Sequence, residues 1–134
     1  MKELTFIASC SNIPLAVNFV NKFLSENNIG QVDKFDIVIE EILSNISNYA
    51  YKNTESNITL ICDYNKPLNE IILTFKDSGF SFNPIKAKVP DITIPIEDRS
   101  IGGLGLLIVK NIVDDMQYAR QNGENILTIK KKIS

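Results

Sequence analysis

Glu41 and Asn45 stand one helical turn apart, and a carboxylate and a carboxamide so spaced can jointly hold a cation or a water. They sit in Asp33–Lys52, where Phe35, Val38, Ile42, Ile46 and Tyr49 repeat as an apolar helical stripe. At about 100° per residue, Glu41, Asn45, Asn48 and Lys52 fall in one narrow row beside that stripe, while Glu40, Ser44 and Ser47 face outward. A polar row on the shoulder of a helix is where a cleft opens. On its own such a row is more often an ordinary solvated edge.

Two further segments carry chemistry. Asp77 ends the apolar run Ile71, Ile72, Leu73, Phe75, and Ser78-Gly79 lets the backbone turn sharply beneath it. An acceptor at such a strand terminus can read an exocyclic amine, although a lone Asp-x-Gly is also an ordinary turn. Gly102-Gly-Leu-Gly105 then runs directly into Leu106-Leu-Ile-Val-Lys-Asn-Ile-Val113. Glycines at a helix start expose backbone N–H groups to an anion, and the helix dipole favours negative charge there, so phosphate is the natural ligand. The P-loop pattern GxxxxGK[ST] is absent, and no strand precedes the glycines as a Rossmann fingerprint requires.

Composition narrows the chemistry. The 134 residues hold sixteen acidic and fourteen basic side chains, a net charge of -2, without the basic excess of a phosphate-backbone binder, so nucleic acid is not expected as a partner. There is no histidine, which excludes histidine acid/base chemistry and autophosphorylation on histidine within this chain. Cys10 and Cys62 are too few and too far apart for a disulfide framework or a zinc site and read as small buried hydrophobes in a reducing compartment. No stretch is long and apolar enough for a signal peptide or a membrane span, which points to the cytoplasm by elimination.

The elements that must position these residues follow from periodicity. Lys2–Ala8 reads as a strand; Ser11 or Asn12 caps a first helix with Pro14 in its first turn, and that helix stops near Gly30. Asp33 caps the second helix. Ile58–Tyr64 and Glu70–Lys76 form a hairpin across Asn65-Lys-Pro-Leu-Asn69. Residues 78–103, with Gly79, Pro84, Pro90, Pro95, Gly102 and Gly103, form a long irregular segment of the functional kind. Leu104–Asp115 is a third helix, and Met116–Arg120 and Asn125–Lys131 close the chain as a hairpin about Asn122-Gly123. One domain over residues 1–134 is expected: an α+β two-layer sandwich, with a mostly antiparallel sheet of about five strands and three helices on one face.

In this order and spacing, Glu41-Ile-Leu-Ser-Asn45, Asp77-Ser-Gly-Phe-Ser-Phe-Asn-Pro84 and Gly102-Gly-Leu-Gly105 resemble the N, G1 and G2 boxes of the GHKL, or Bergerat-fold, ATP-binding superfamily. Within it the chain is most similar to the anti-sigma-factor serine/threonine kinases of the RsbW and SpoIIAB type, over nearly its whole length. The resemblance implies ATP and Mg²⁺ as cofactors. It makes Asn45 the Mg²⁺ ligand, Glu41 the general base and Asp77 the acceptor for the adenine amino group, with Gly79 giving the base room. Asn48, Phe82, Gly102, Gly103, Leu104 and Gly105 join the nucleotide site, and residues 85–101 become a short lid. It further implies a STAS-type anti-anti-sigma protein as phosphate acceptor, a sigma factor as the alternative partner, and a homodimer. A non-catalytic module that senses ATP or ADP fits the same boxes.

The sequence also departs from that pattern. Tyr49 stands where many relatives carry histidine, and Ile101 where some place arginine, with Arg99 nearby. The closing hairpin lacks the Gly-Thr-Thr often found near the adenine-binding acid; Thr128 or Asn125 is left to substitute for it.

Overall fold

The computed structural model describes residues 1–47, 57–79 and 103–133. In chain order these form β1 (Lys2–Ile7), a 3₁₀ turn (Cys10–Asn12), α1 (Ile13–Glu26), α2 (Phe35–Asn45), β2 (Asn57–Asn65), β3 (Glu70–Asp77), α3 (Gly103–Ile112), β4 (Asp115–Gln121) and β5 (Glu124–Lys132). The strands make one sheet in the order β1-β2-β3-β5-β4, and every pairing is antiparallel. Alternation along the strands puts Ile58, Leu60 and Cys62, then Ile71, Leu73 and Phe75, then Leu127 and Ile129 on a single buried face. Ala16, Val20, Phe23 and Leu24 of α1, Phe35, Val38, Ile39, Ile42 and Leu43 of α2, and Val109 of α3 complete that core. The expected α+β sandwich is therefore the observed one.

The helix ends differ from expectation in instructive ways. Asn12 occupies the position before α1, but its side-chain Nδ2 donates to Ile7 O at 2.8 Å and caps nothing; Ser9 Oγ instead accepts from Ser11 N in the preceding turn. α1 stops at Glu26, short of Gly30, because Asn28 takes the left-handed conformation (φ 58°). Asn28 N then donates to Ser25 O at 3.1 Å and Ile29 N to Leu24 O at 2.8 Å, the paired bonds of a Schellman motif. Asp33 does not cap α2. Lys34 occupies that place at φ 61° without a side-chain cap, and Asp36 supplies the negative charge in the first turn.

α3 ends three residues before the expected Asp115, since Asp115 is drawn into β4 opposite Lys130, and Asp114 N donates to Lys130 O at 2.9 Å. The closing hairpin turns on Asn122 (φ 53°) and Gly123 (φ 79°), the left-handed pair that a type I′ turn demands. Of the two free cysteines, Cys62 is buried as expected, and burial pushes its thiol up to about 12. Cys10 is exposed in the 3₁₀ turn, because that turn contributes no residue to the core. Among the described residues no helix is long and apolar enough to cross a membrane.

Candidate functional site

Two polar clusters interrupt the apolar layer. The first lies on the seam between α2 and α3. Gly105 is the third residue of α3, and a methyl group built on it would stand 1.9 Å from Glu41 Oε2 and 2.8 Å from Glu41 Cδ. The Glu41 carboxylate thus packs directly over the Gly105 α-carbon, in the first turn of α3, where backbone N–H groups have no helical acceptor. Any side chain at 105 would occupy the volume that the carboxylate fills. One turn after Glu41, Asn45 is only 6% exposed, and its Oδ1 makes no hydrogen bond among the described residues. The shoulder of α2 is therefore deeper than its polar row suggests: Asn45 is enclosed by the layer it was expected to border. Ser47, read as outward-facing, also has its Oγ buried and without a hydrogen bond among the described residues. There the helix widens into π geometry over Ile46 and Ser47, which rotates its last side chains away from the α-helical positions that a 100° wheel assigns.

The second cluster is built by strand register. Along β3 and β5 the inward pairs run Leu73 opposite Ile129, Phe75 opposite Leu127, and finally Asp77 opposite Asn125. β4 adds Arg120 opposite Asn125. Asp77 and Asn125 are 4% and 5% exposed, and two such groups persist in a core only when they bond to one another or to neighbours. They do so here. Asp77 Oδ1 accepts from Gly79 N at 3.0 Å and from Asn125 Nδ2 at 3.0 Å. Asn125 Oδ1 accepts from Tyr118 Oη and from Arg120 Nη1, the latter at 3.2 Å, and Arg120 Nη1 also donates to Gly79 O at 2.7 Å. Desolvation raises the Asp77 carboxyl above its ordinary value; the bonds from Asn125 and Gly79 and the Arg120 charge oppose the rise, while Glu124 adds to it.

The expected site residues separate accordingly. Glu41 and Gly105 meet at the α2–α3 seam, with Asn45 buried one helical turn further along α2; Gly103 and Leu104 open α3, and Asp77 and Gly79 meet at the end of β3. Thr128 is not part of the Asp77 cluster. It lies three residues along β5 from Asn125, opposite Thr74, on the side of the sheet turned away from the helices, so Asn125 takes the place beside Asp77 that the sequence left open between the two. Asn48, Phe82 and Gly102 lie outside the described residues, as do Tyr49 and Ile101. Tyr118 and Arg120 were not anticipated. The signal for Arg120 was local: a two-residue Asn122-Gly123 turn pairs Gln121 with Glu124 and hence Arg120 with Asn125.

Comparison with known proteins gives the family of the chain. The chain is 32% identical over 101 residues to the serine-protein kinase RsbW of Bacillus cereus strain B4264, a match spanning 74% of this chain and 63% of that relative. It is 31% identical, over the same length and shares, to the serine-protein kinase RsbW of Bacillus mycoides strain KBAB4. The chain thus spans less than two thirds of the length of these curated relatives. A sequence model of the histidine kinase-like ATPase domain matches residues 6–131, which contain both polar clusters and all five strands in whole or part, and the chain belongs to that family.

Proposed function

We propose that this chain binds Mg²⁺-ATP between the two clusters and transfers the γ-phosphoryl group to a serine or threonine hydroxyl of a STAS-type anti-anti-sigma protein, sequestering a sigma factor when not so engaged. The observation that carries the reading is the α2–α3 seam: a carboxylate held over a glycine at a helix start, beside a buried amide oxygen with no partner. The membership in an ATPase domain family and the relatives named serine-protein kinases support it.

The donor set suits Mg²⁺, a hard cation that takes one or two protein oxygens and fills its remaining positions with phosphate oxygens and water. Asn45 Oδ1 is such an oxygen, and among the described residues it has no hydrogen-bond partner. Held by Asn45, Mg²⁺ would supply neutralisation of the charge on the triphosphate. The free N–H groups at the start of α3 receive phosphate oxygens, and Gly103 and Gly105 let the backbone approach them. Glu41 acts as general base: its carboxylate takes the proton of the acceptor hydroxyl as that oxygen bonds to the γ-phosphorus. The bond from phosphorus to the β–γ bridging oxygen then breaks, and ADP leaves. Asp77, with Gly79 beneath it, accepts a hydrogen bond from the adenine amino group.

The test is transfer of label from γ-labelled Mg²⁺-ATP to the cognate STAS protein. Glu41→Gln keeps the shape that packs on Gly105 but cannot accept the proton, and it is expected to lower the transfer rate by about 10²- to 10⁴-fold with nucleotide affinity nearly unchanged. Binding of ATP with no label on any STAS or sigma-factor partner would replace the kinase by a nucleotide-sensing module.

A further inference from the structure

The polar row Asp77–Asn125–Arg120 follows two inward pairs that are apolar, Leu73 with Ile129 and Phe75 with Leu127. Continuing the pattern of Phe75 and Leu127 by one more apolar pair would fill the same space without burying a carboxylate and a carboxamide. The arrangement is nevertheless specific in its atoms. Two donors, Tyr118 Oη and Arg120 Nη1, converge on Asn125 Oδ1, which fixes the amide with its Nδ2 toward Asp77. The opposite orientation would set an NH₂ against a guanidinium and an amide oxygen against a carboxylate. Asn125 Nδ2 and Gly79 N both land on Asp77 Oδ1, and neither uses Oδ2. Arg120 also holds Gly79 O, tying the turn that follows Asp77 to strand β4.

We propose that Asn125, oriented by Arg120 and Tyr118, is a positioning residue that sets the Asp77 carboxylate to read the 6-amino group of a purine nucleotide; this rests on the ATP-binding function proposed above. With Oδ1 occupied twice, Oδ2 is the oxygen left to accept from an exocyclic N–H. A 6-oxo purine brings an acceptor to that acceptor, and the fixed carboxylate cannot rotate to relieve the clash without breaking two hydrogen bonds. Selectivity for adenine over hypoxanthine or guanine then depends on β4 and β5, and not on Asp77 alone.

The test measures dissociation constants of Mg²⁺-ATP and Mg²⁺-ITP, which differ at the 6-position, by calorimetry on the full chain. The unmodified protein is expected to prefer ATP by about tenfold or more. Asp77→Asn and Asn125→Ala are each expected to bring that ratio to within about threefold, chiefly by weakening ATP. Arg120→Gln alters an exposed strand position, and it is expected to lower the ratio by about threefold or more even if Asn125→Ala fails to fold. Arg120→Lys, which retains a donor, is expected to restore part of the lost preference. A change in stability alone would weaken both nucleotides equally and leave the ratio unmoved. If the unmodified protein fails to bind ATP or binds ATP and ITP alike, the adenine reading itself fails. If it prefers ATP, loses the preference in Asp77→Asn and keeps it fully in Arg120→Gln and any folded Asn125→Ala, the positioning role of Asn125 is overturned and the adenine reading stands.

Discussion

The two polar clusters differ in how completely their buried atoms are partnered. At the end of β3, Asp77 and Asn125 are joined to each other, to a backbone turn and to two side chains of β4, so both ends of the Asn125 amide are engaged. Near the end of α2, Asn45 Oδ1 and Ser47 Oγ are buried with no hydrogen bond among the described residues. An unsatisfied buried polar group costs about 1–3 kcal/mol. One cluster is therefore rigid before any ligand arrives, and the other carries a deficit that a ligand can remove. Recognition of a flat, neutral base needs fixed directions, which the first supplies. The proposed coordination of a cation needs an oxygen without a partner, and Asn45 Oδ1 has none among the described residues.

The strongest break in this contrast is expected from Gly105→Ala. A methyl group 1.9 Å from Glu41 Oε2 must drive the carboxylate off the start of α3. Because the displaced atoms are the end of a flexible side chain, phosphoryl transfer should fall by about 10²-fold or more while the thermal midpoint moves by about 5 °C or less. Loss of the fold in step with activity would mean that the glycine serves packing alone. Next is Asn45→Ala, expected to weaken Mg²⁺-ATP by about tenfold or more while changing the unliganded stability by only about 1 kcal/mol, since no hydrogen bond to Oδ1 is lost. Asn125→Ala should do the reverse to stability, lowering it by about 1–3 kcal/mol without ligand, because it removes an acceptor shared by Tyr118 and Arg120 and a donor to Asp77. Equal stability losses in the two variants, measured by denaturant titration, would erase the distinction.

Asp77 offers a pH test of the same rigidity. Its folded-state carboxyl is raised by desolvation above the ordinary value that the unfolded chain retains. Its contribution to stability is therefore fully present below the ordinary carboxylate value and is lost as pH rises through the raised one, because the unfolded state ionises first. Asp77→Asn removes this slope, so the gap between variant and parent should shift in favour of the variant as pH rises through that window. A constant gap in thermal midpoint across acid to neutral pH would show that the bonds from Asn125 and Gly79 and the Arg120 charge cancel the burial.

Local patterning made much of this legible. The stripe of α2, the Asn122-Gly123 turn and the alternation of β2 and β3 each follow from short-range spacing, and the elements they imply are present. Glu41 and Asn45 stood out as a polar row beside the apolar stripe, Asp77 as the polar end of an apolar strand and Gly105 as one of the glycines at a helix start, and the family resemblance joined them into one site. What stayed hidden depends on pairing between distant segments. Asp77 meets Asn125 only because β5 inserts between β3 and β4, and no periodicity in either strand specifies that order. The depth of Asn45 was hidden for a similar reason: a helical wheel places it beside the stripe, but burial is decided by what the tertiary fold packs against α2. Asn28 displaced Gly30 as the end of α1 since asparagine also tolerates the left-handed conformation, an ambiguity that composition alone leaves in place.

The smallest expected effect concerns Thr128, which a family resemblance nominated for the nucleotide site. Its partner across β3 is Thr74, and the residues flanking it, Leu127 and Ile129, are the buried ones. Since successive side chains leave a strand on opposite faces, Thr128 cannot share the inward face with Asp77 and Asn125 in this register. Thr128→Ala should therefore leave the affinities for ATP and ITP unchanged and alter stability by about 0.5 kcal/mol or less. A selective loss of ATP affinity in Thr128→Ala would require β5 to slip by one residue. That slip would turn Leu127 and Ile129 out of the core, so the same variant series would have to show a register incompatible with the buried ladder from Leu73 to Asp77.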